Sequence, residues 1–247
     1  MPHILTSRFL FGPGPSNCYP EAMAALAYPV LGHLDPVFIE RLDHTCEGLR
    51  TVWGGTSNAR TLPLSATGSG GMEAAFVNTV SDGDVAVIAV NGLFGARMCE
   101  VARRCGATVI RVDHEWGQPV DAERVLSAHP NPKVIAAVHA ETSVGVLSDI
   151  AALGAGKGDA LLITDAVTSI GGLELRADDW GGSTSDTPER RNALVCRQDF
   201  RPSRCPTVPL SVASKIRAPG TSISGCWAGM SVPPVVPGRI TTQRRSP

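Results

Sequence analysis

The sequence predicts an α/β fold in which a mostly parallel sheet carries helices on both faces. Three short apolar runs have the length of buried strands: Val85–Val90, Val134–Val138 and Leu161–Thr164. Segments with helical periodicity, such as Phe94–Arg104, separate these runs, and the connections between them are short. Strands that alternate with helices in this way form parallel sheets that are covered on both sides.

The remaining elements follow from local start signals. Pro20 can open a helix that runs through Met23 and Leu26, and Asp35 followed by Pro36 starts a longer helix over Val37–Val52. A further strand is predicted at Val109–Val112, with short helices near Ala122–Ala128 and Ser148–Leu153. These segments extend the alternation of strands and helices over most of residues 1–182.

Composition excludes several classes of protein. The 247 residues are 43% hydrophobic and 18% charged, as expected for a globular chain of one large or two small domains. No stretch approaches a membrane span, and Met1–Gly12 lacks the apolar core of a signal peptide. The seven cysteines have scattered spacings that fit neither a disulfide framework nor a zinc site. We therefore expect a reducing, cytoplasmic setting and no metal site.

Charge divides the chain near residue 182. Residues 1–182 carry 12 basic and 20 acidic side chains, whereas residues 183–247 carry 10 basic and 3 acidic ones. The second part also holds nine Pro, nine Ser and nine Arg, without apolar periodicity beyond Val208–Ala213. We expect a folded domain over 1–182 and an irregular, disordered basic tail over 183–247.

One carboxylate, Asp165, stands where the strand Leu161–Thr164 leaves the predicted sheet. Ligands of open α/β sheets bind beyond the carboxyl ends of the strands, so Asp165 is a candidate ligand contact. The alternative is that its side chain accepts hydrogen bonds from amides of the following loop, as strand-end aspartates often do. Position alone leaves both roles open.

A small, glycine-rich loop, Thr67–Gly71, precedes a run of good helix formers. Ser69 is a candidate N-cap, and Glu73 lies early in the predicted helix. Such a loop presents unpaired backbone N–H groups at the positive end of the helix dipole, which suits a phosphate group. A plain packing turn is the alternative, because a single glycine-rich turn has little specificity.

Six segments of the chain form a wider pattern: Gly12–Asn17, Gly32–Pro36, Thr67–Ala75, Asn91–Gly95, His139–Gly145 and Asp165–Gly172. In order and spacing they resemble the class V, fold-type I pyridoxal-phosphate (PLP) aminotransferases, in particular the alanine–glyoxylate and serine–glyoxylate (serine–pyruvate) group. The resemblance covers roughly residues 8–182. It implies the large domain of that fold, incomplete here, with PLP as cofactor and a homodimer as the family's usual assembly.

The resemblance also assigns roles to individual residues. Thr67, Gly68 and Ser69 would hold the phosphate of PLP. The other contacts would be Asp165 on the pyridinium nitrogen, Phe94 stacked on the ring, Val167 packed against it, Thr142 and Ser143 on the ring hydroxyl or the substrate, and Gly12 beside the substrate. Two alternatives stay open, since Phe94 can be a core residue at a helix start and Ser143 can cap a loop.

The chain departs from the family at the catalytic lysine. The family places a Gly-Ser/Thr-Gln-Lys motif some way after the aspartate, and its lysine forms the Schiff base and moves the proton. This chain has three lysines, Lys133, Lys157 and Lys215, and none lies in such a motif. The resemblance therefore assigns no catalytic residue, and negligible activity is expected.

A displaced reading frame accounts for this departure. From the last base before Ser183, a frame shifted by one base can spell Val-Asp-Val-Gly-Tyr-Ser-Gly-Thr-Gln-Lys, the segment that is missing here. Its lysine codon would straddle Arg191 and Asn192. Our hypothesis is that the chain leaves the family frame near Gly181–Ser183, so that it is truncated as a family member. A genuine basic tail is the alternative.

The resemblance implies transfer of an amino group from alanine or serine to glyoxylate or a related 2-oxo acid. No nucleic acid or membrane partner is expected. One alternative is a non-catalytic binding protein whose basic tail contacts nucleic acid. A class V lyase would need a mobile cysteine, and Cys196 and Cys205 lie in the tail. A Rossmann dehydrogenase fits poorly, because Gly68–Gly71 does not make the Gly-x-Gly-x-x-Gly pattern.

Overall fold

The computed structural model describes residues 8–14, 16–57 and 61–181, together with the backbone of two strands at 193–196 and 211–213. All of these belong to one compact unit, Met1–Ile216. In these ranges, no helix combines the length and the apolar character that crossing a membrane requires.

The fold is organised by one large sheet. The strands of the described part are β1 (Thr61–Pro63), β2 (Val85–Val90), β3 (Thr108–Asp113), β4 (Val134–Val138), β5 (Ala140–Glu141), β6 (Val146–Leu147), β7 (Leu161–Asp165), β8 (Ala193–Cys196) and β9 (Ser211–Ala213). Seven of them form the sheet in the order β1-β9-β8-β7-β4-β2-β3, and β5 pairs with β6 in a small hairpin. Strands β3, β2, β4, β7 and β8 are parallel, whereas β9 is antiparallel to both neighbours. The predicted mostly parallel sheet is confirmed.

The helices agree closely with the predicted segments. They are α1 (Pro20–Ala25), α2 (Pro36–Val52), α3 (Gly68–Val77), α4 (Leu93–Arg104), α5 (Ala122–Ser127), α6 (Ile150–Gly156) and α7 (Ala177–Trp180). Helix α6 begins two residues later than predicted because Asp149 is its N-cap and accepts a hydrogen bond from the Ala152 amide at 3.1 Å. The short elements β1, α7 and the β5–β6 hairpin have no sequence signal, since so few residues show no periodicity.

Apolar side chains pack on both faces of the sheet. On one face, Ile88, Ala136 and Ile163 pack with Met72 and Phe76 of α3 and with residues of α4. On the other face, the alternate residues of the same strands pack with α5 and α6 in a second buried cluster. The arrangement confirms helices on both faces.

Two strands lie in the segment that the sequence predicts to be an irregular tail. Ala193–Cys196 pairs in parallel with β7, and Ser211–Ala213 continues the sheet antiparallel to it. Both runs are short and contain apolar or β-branched residues, which favour an extended backbone beside an available sheet edge. The rest of 183–247 lies outside the described residues.

Candidate functional site

The glycine-rich loop lies at the carboxyl edge of the sheet and starts α3. Thr67, not Ser69, is the N-cap: its backbone is extended, and its hydroxyl accepts a hydrogen bond from the Gly70 amide at 3.4 Å. The expectation of a Ser69 cap was wrong by two residues because α3 begins at Gly68. In the described structure, the amides of Gly68 and Ser69 donate to no partner, as the first amides of a helix do not. The loop therefore presents two free donors.

The second helix at this edge, α4, is capped by a buried carboxylate. Glu141 is fully buried. It accepts hydrogen bonds from the amides of Phe94 at 3.1 Å, Gly95 at 3.2 Å and Ser143 at 3.1 Å. A carboxylate at the positive end of a helix is stabilised by the dipole as well as by these bonds. Sequence reasoning missed Glu141, because its partners at the start of α4, Phe94 and Gly95, lie more than 40 residues away in the chain.

Ser143 takes part in the same cap. Its hydroxyl accepts a hydrogen bond from the Leu93 amide at 2.9 Å and donates one to Glu141 at 2.6 Å. The loop-capping role that the sequence left open is therefore present in the structure. The neighbouring Thr142 hydroxyl bonds the hydroxyl of Thr168, which ties the β5 loop to the loop after Asp165.

An arginine links the two helix starts. The Arg97 guanidinium of α4 donates a hydrogen bond to the Ser69 hydroxyl at 2.8 Å. The same guanidinium lies over the ring of Phe94, 5.3 Å from its centroid. Phe94 is half-buried and packs against the core, as its alternative role required. Arg97 thus contacts both Ser69 and Phe94, two residues assigned to one ligand, although no sequence pattern singles it out.

Asp165 lies at the carboxyl end of β7 and forms the sheet side of the site. It is the last residue of β7, and its side chain is only 3% exposed. One oxygen accepts a hydrogen bond from the Val167 amide at 2.9 Å, which is the alternative role proposed for a strand-end aspartate. Its other oxygen has no hydrogen-bond partner among the described residues. Burial raises the pKa of Asp165 to about 6, a shift that Glu141 increases and that Val167 and Arg97 oppose.

The backbone around Asp165 is held by the end of β4. The His139 amide donates to the Asp165 carbonyl at 2.9 Å. Its ring bonds the Ser169 hydroxyl at 2.8 Å and meets the Trp180 ring edge-on, with 5.0 Å between centroids. Burial lowers the pKa of His139, so its ring is neutral at pH 7. These contacts fix the loop that carries Val167.

Three further residues considered from the sequence are Gly12, Lys133 and Lys157, and neither lysine lies at this edge. Gly12 is exposed, and a Cβ atom placed on it would have no neighbour within 4 Å. Lys133 precedes β4, and Lys157 precedes β7, so both lie at the amino edge of the parallel strands. A five-residue strand is about 15 Å long, which separates these lysines from Asp165. Lys215 falls outside the described residues.

The arrangement can bind a ligand with two opposite charges. Free amides, a hydroxyl and a guanidinium at α3 suit an anion. The buried carboxylate of Asp165 suits a cationic or proton-carrying group, because such a partner would offset the cost of burying its charge. A half-buried aromatic ring, Phe94, lies on the same face of the sheet as the anion-binding groups.

Comparisons with known proteins identify the family and the fold of the chain. Residues 18–182 match the family described as Aminotransferase class-V. Alanine–glyoxylate aminotransferase of Drosophila melanogaster is 37% identical over 185 residues, covering 72% of this chain and 46% of the relative. L-aspartate–glyoxylate aminotransferase of Paracoccus denitrificans is 37% identical over 195 residues, covering 75% and 49%. The crystal structure of ureidoglycine–glyoxylate aminotransferase from Bacillus subtilis matches with a TM-score of 0.76 and 29% identity, covering 87% of this chain and 54% of that one.

The matches cover only part of the relatives and only part of this chain. The chain spans about half the length of the curated relatives that it matches. The family match ends at residue 182, next to the point at which the charge of the sequence changes sign.

Proposed function

The chain belongs to the aminotransferase class-V family, and from this premise we propose that its carboxyl edge is the PLP site of a transaminase domain. The relatives named above differ in amino donor, but glyoxylate stands in each of their names. This supports glyoxylate or a related 2-oxo acid as the acceptor. Alanine or serine is our proposed donor.

Asp165 carries this proposal. A carboxylate that is 3% exposed and has one oxygen without a partner in the described structure is costly to ionise. The pyridine nitrogen of PLP would supply the missing positive charge, and Asp165 would keep that nitrogen protonated. When bound, PLP supplies an electron-withdrawing ring that stabilises negative charge on the substrate carbon. Val167 and Phe94 would pack against the ring.

The phosphate of PLP would lie at the start of α3. Thr67, Gly68 and Ser69 offer two hydroxyls and two free amides there, and a helix start attracts a dianion. Ser143 would act indirectly, since its hydroxyl is already bonded to Glu141 and Leu93. Gly12 remains a proposed substrate neighbour.

PLP binding tests this proposal directly. The full chain is incubated with PLP, passed through gel filtration, and examined for a retained visible absorbance band. Wild type should retain PLP, and Asp165→Ala should abolish the band. Glu123→Gln changes an exposed carboxylate on α5 and should retain PLP as wild type does. Loss of the band in both variants, or in neither, would contradict the assignment of Asp165.

We propose that this chain has negligible transaminase activity. No lysine stands in the family motif, and Lys133 and Lys157 lie at the wrong edge of the sheet. The end of the family match at residue 182 supports the displaced-frame hypothesis. Coding DNA across Gly181–Cys205 decides it, since codons that cannot spell the alternative peptide would reject it. Robust turnover by the purified chain would overturn the proposal of inactivity.

We also propose a second copy of the chain as partner. Large apolar side chains are exposed along the segment before and around α1: Phe9 at 86%, Phe11 at 94%, Leu26 at 79% and Val30 at 98%. Large apolar side chains exposed in this number within one segment indicate an interaction surface. Sedimentation equilibrium should give twice the monomer mass, and a monomer at all concentrations would reject a homodimer.

The non-catalytic alternative, a nucleic-acid-binding tail, is not favoured by the family match. Salt-dependent DNA binding that is lost on deletion of residues 183–247 would revive it.

A further inference from the structure

Arg97 differs from the other arginines of its helix. Arg103 and Arg104, at the carboxyl end of α4, pair with Glu100 at 2.9 Å each. Arg97 forms no ion pair with any described residue. It also lies in the amino-terminal half of α4, where the helix dipole does not favour a cation. Neither an ion pair nor the helix dipole therefore accounts for an arginine at this position, and its one described interaction with another charge is the longer-range attraction that lowers the pKa of Asp165.

The hydrogen bond of the Arg97 side chain leads to another helix, α3. Its guanidinium reaches the Ser69 hydroxyl at 2.8 Å, beside the free amides at the start of α3. Those amides and hydroxyls are neutral donors. A phosphate monoester carries a charge of about −1.5 to −2 at pH 7, which neutral donors alone do not balance. A guanidinium offers planar, charged donors that match phosphate oxygens.

We propose that Arg97 is a phosphate-binding residue of the PLP site and supplies the positive charge that the α3 loop lacks. The inference deepens the proposed function and rests on it. With phosphate bound, the guanidinium and the Ser69 hydroxyl both donate to the ligand, and the guanidinium stays beside the ring of Phe94. The residue thereby couples the phosphate end of the ligand to the ring end.

A competing role makes the opposite prediction. The guanidinium lies 5.3 Å from the Phe94 centroid, on a ring that is proposed to stack on the cofactor. If Arg97 only filled that space, it would have to leave before the ligand bound, and its removal would strengthen binding of every ring compound.

A matched pair of ligands separates these roles. Pyridoxamine 5′-phosphate and pyridoxamine differ only by the phosphate, and neither forms a Schiff base with a surface lysine. Isothermal titration of the full chain measures both affinities for wild type, Arg97→Ala, Arg97→Lys and the control Arg104→Ala. Arg97→Ala should lower the affinity for pyridoxamine 5′-phosphate about 10- to 100-fold and change the affinity for pyridoxamine less than about 2-fold.

The other variants sharpen the result. Arg97→Lys keeps the charge without the planar fork, so its loss should be intermediate. Arg104→Ala should bind both ligands as wild type does. Equal loss for both ligands, no loss, or tighter binding in Arg97→Ala would overturn the inference. If wild type bound neither ligand, the proposed function itself would fail.

Discussion

The two edges of the sheet differ in whether their polar groups find partners within the chain. At the carboxyl edge, Asp165 is buried without a cationic partner at hydrogen-bond distance among the described residues, and two amides at the start of α3 have no acceptor. At the amino edge, the buried Lys157 ammonium donates to the Ala160 carbonyl at 2.9 Å, and the Asp84 carboxylate accepts from the Ser81 amide at 2.9 Å. One edge leaves polar groups available, whereas the other satisfies them locally.

This contrast separates binding from stability. Groups kept available for a ligand reduce the stability of the ligand-free protein, and groups satisfied by the chain itself increase it. Variants at the carboxyl edge should therefore change affinity for pyridoxamine 5′-phosphate. Variants at the amino edge should change the free energy of unfolding alone.

The largest expected effect is the pH dependence caused by Asp165. Its pKa rises from 3.8 to about 6 on folding, so the folded state holds the proton more tightly than the unfolded state does. The associated stability is present below pH 4 and is lost as the pH rises through about 6, by up to about 3 kcal/mol. Urea unfolding of the ligand-free chain between pH 4 and 8 measures this loss.

Asp165→Asn replaces the titrating carboxylate by an amide that does not ionise in this pH range. Its unfolding free energy should lack this component, and at pH 7.5 it should exceed that of wild type, while affinity for pyridoxamine 5′-phosphate falls. A pH profile parallel to that of wild type would show that Asp165 is not the titrating group.

The next effect concerns the cap of α4. Glu141→Gln replaces a charged acceptor of several hydrogen bonds by a neutral amide, one half of which donates. We expect a loss of about 2 kcal/mol in the free energy of unfolding. Glu47→Gln, in an exposed ion pair on α2, is the control and should lose less than about 0.5 kcal/mol. Equal losses of unfolding free energy in the two variants would show that Glu141 does not cap α4.

A smaller effect comes from the α3 cap. Thr67→Ala removes an N-cap hydroxyl and should cost about 1 kcal/mol. It should also lower the affinity for pyridoxamine 5′-phosphate, because the same hydroxyl is a proposed ligand contact. Asp121→Ala removes the N-cap of α5, which accepts from the Arg124 amide at 3.2 Å, and should cost a similar amount without changing affinity. If both variants changed affinity alike, the α3 loop would have no special role.

The last effect lies at the amino edge and concerns stability alone. Lys157→Met keeps the apolar stem and removes the ammonium group that bonds Ala160. Unfolding should become easier by about 1 kcal/mol, with unchanged affinity for pyridoxamine 5′-phosphate. A change in affinity in Lys157→Met would contradict the assignment of binding to the carboxyl edge and of stability alone to the amino edge.

The sequence predicted the elements that depend on local pattern. The central strands and α4 have clear periodicity, and Asp165 was found because it follows a recognisable strand. Glu141 and Arg97 were missed for a physical reason, since their partners come from other elements that only the fold brings near. Ser69 was misplaced as a cap because Thr67 and Ser69 have the same capping chemistry, and only the backbone conformation distinguishes them.

The close packing at the start of α4 restricts how this sequence can vary. A methyl group added at Gly92 would lie 2.6 Å from the carboxyl carbon of Glu141 and 2.7 Å from the Ser143 hydroxyl. Any side chain at position 92 therefore displaces the acid that caps the helix. A shorter acid at position 141 would relieve only the contact with Glu141, because the Ser143 hydroxyl would remain in place. A side chain at position 92 therefore requires changes at both 141 and 143.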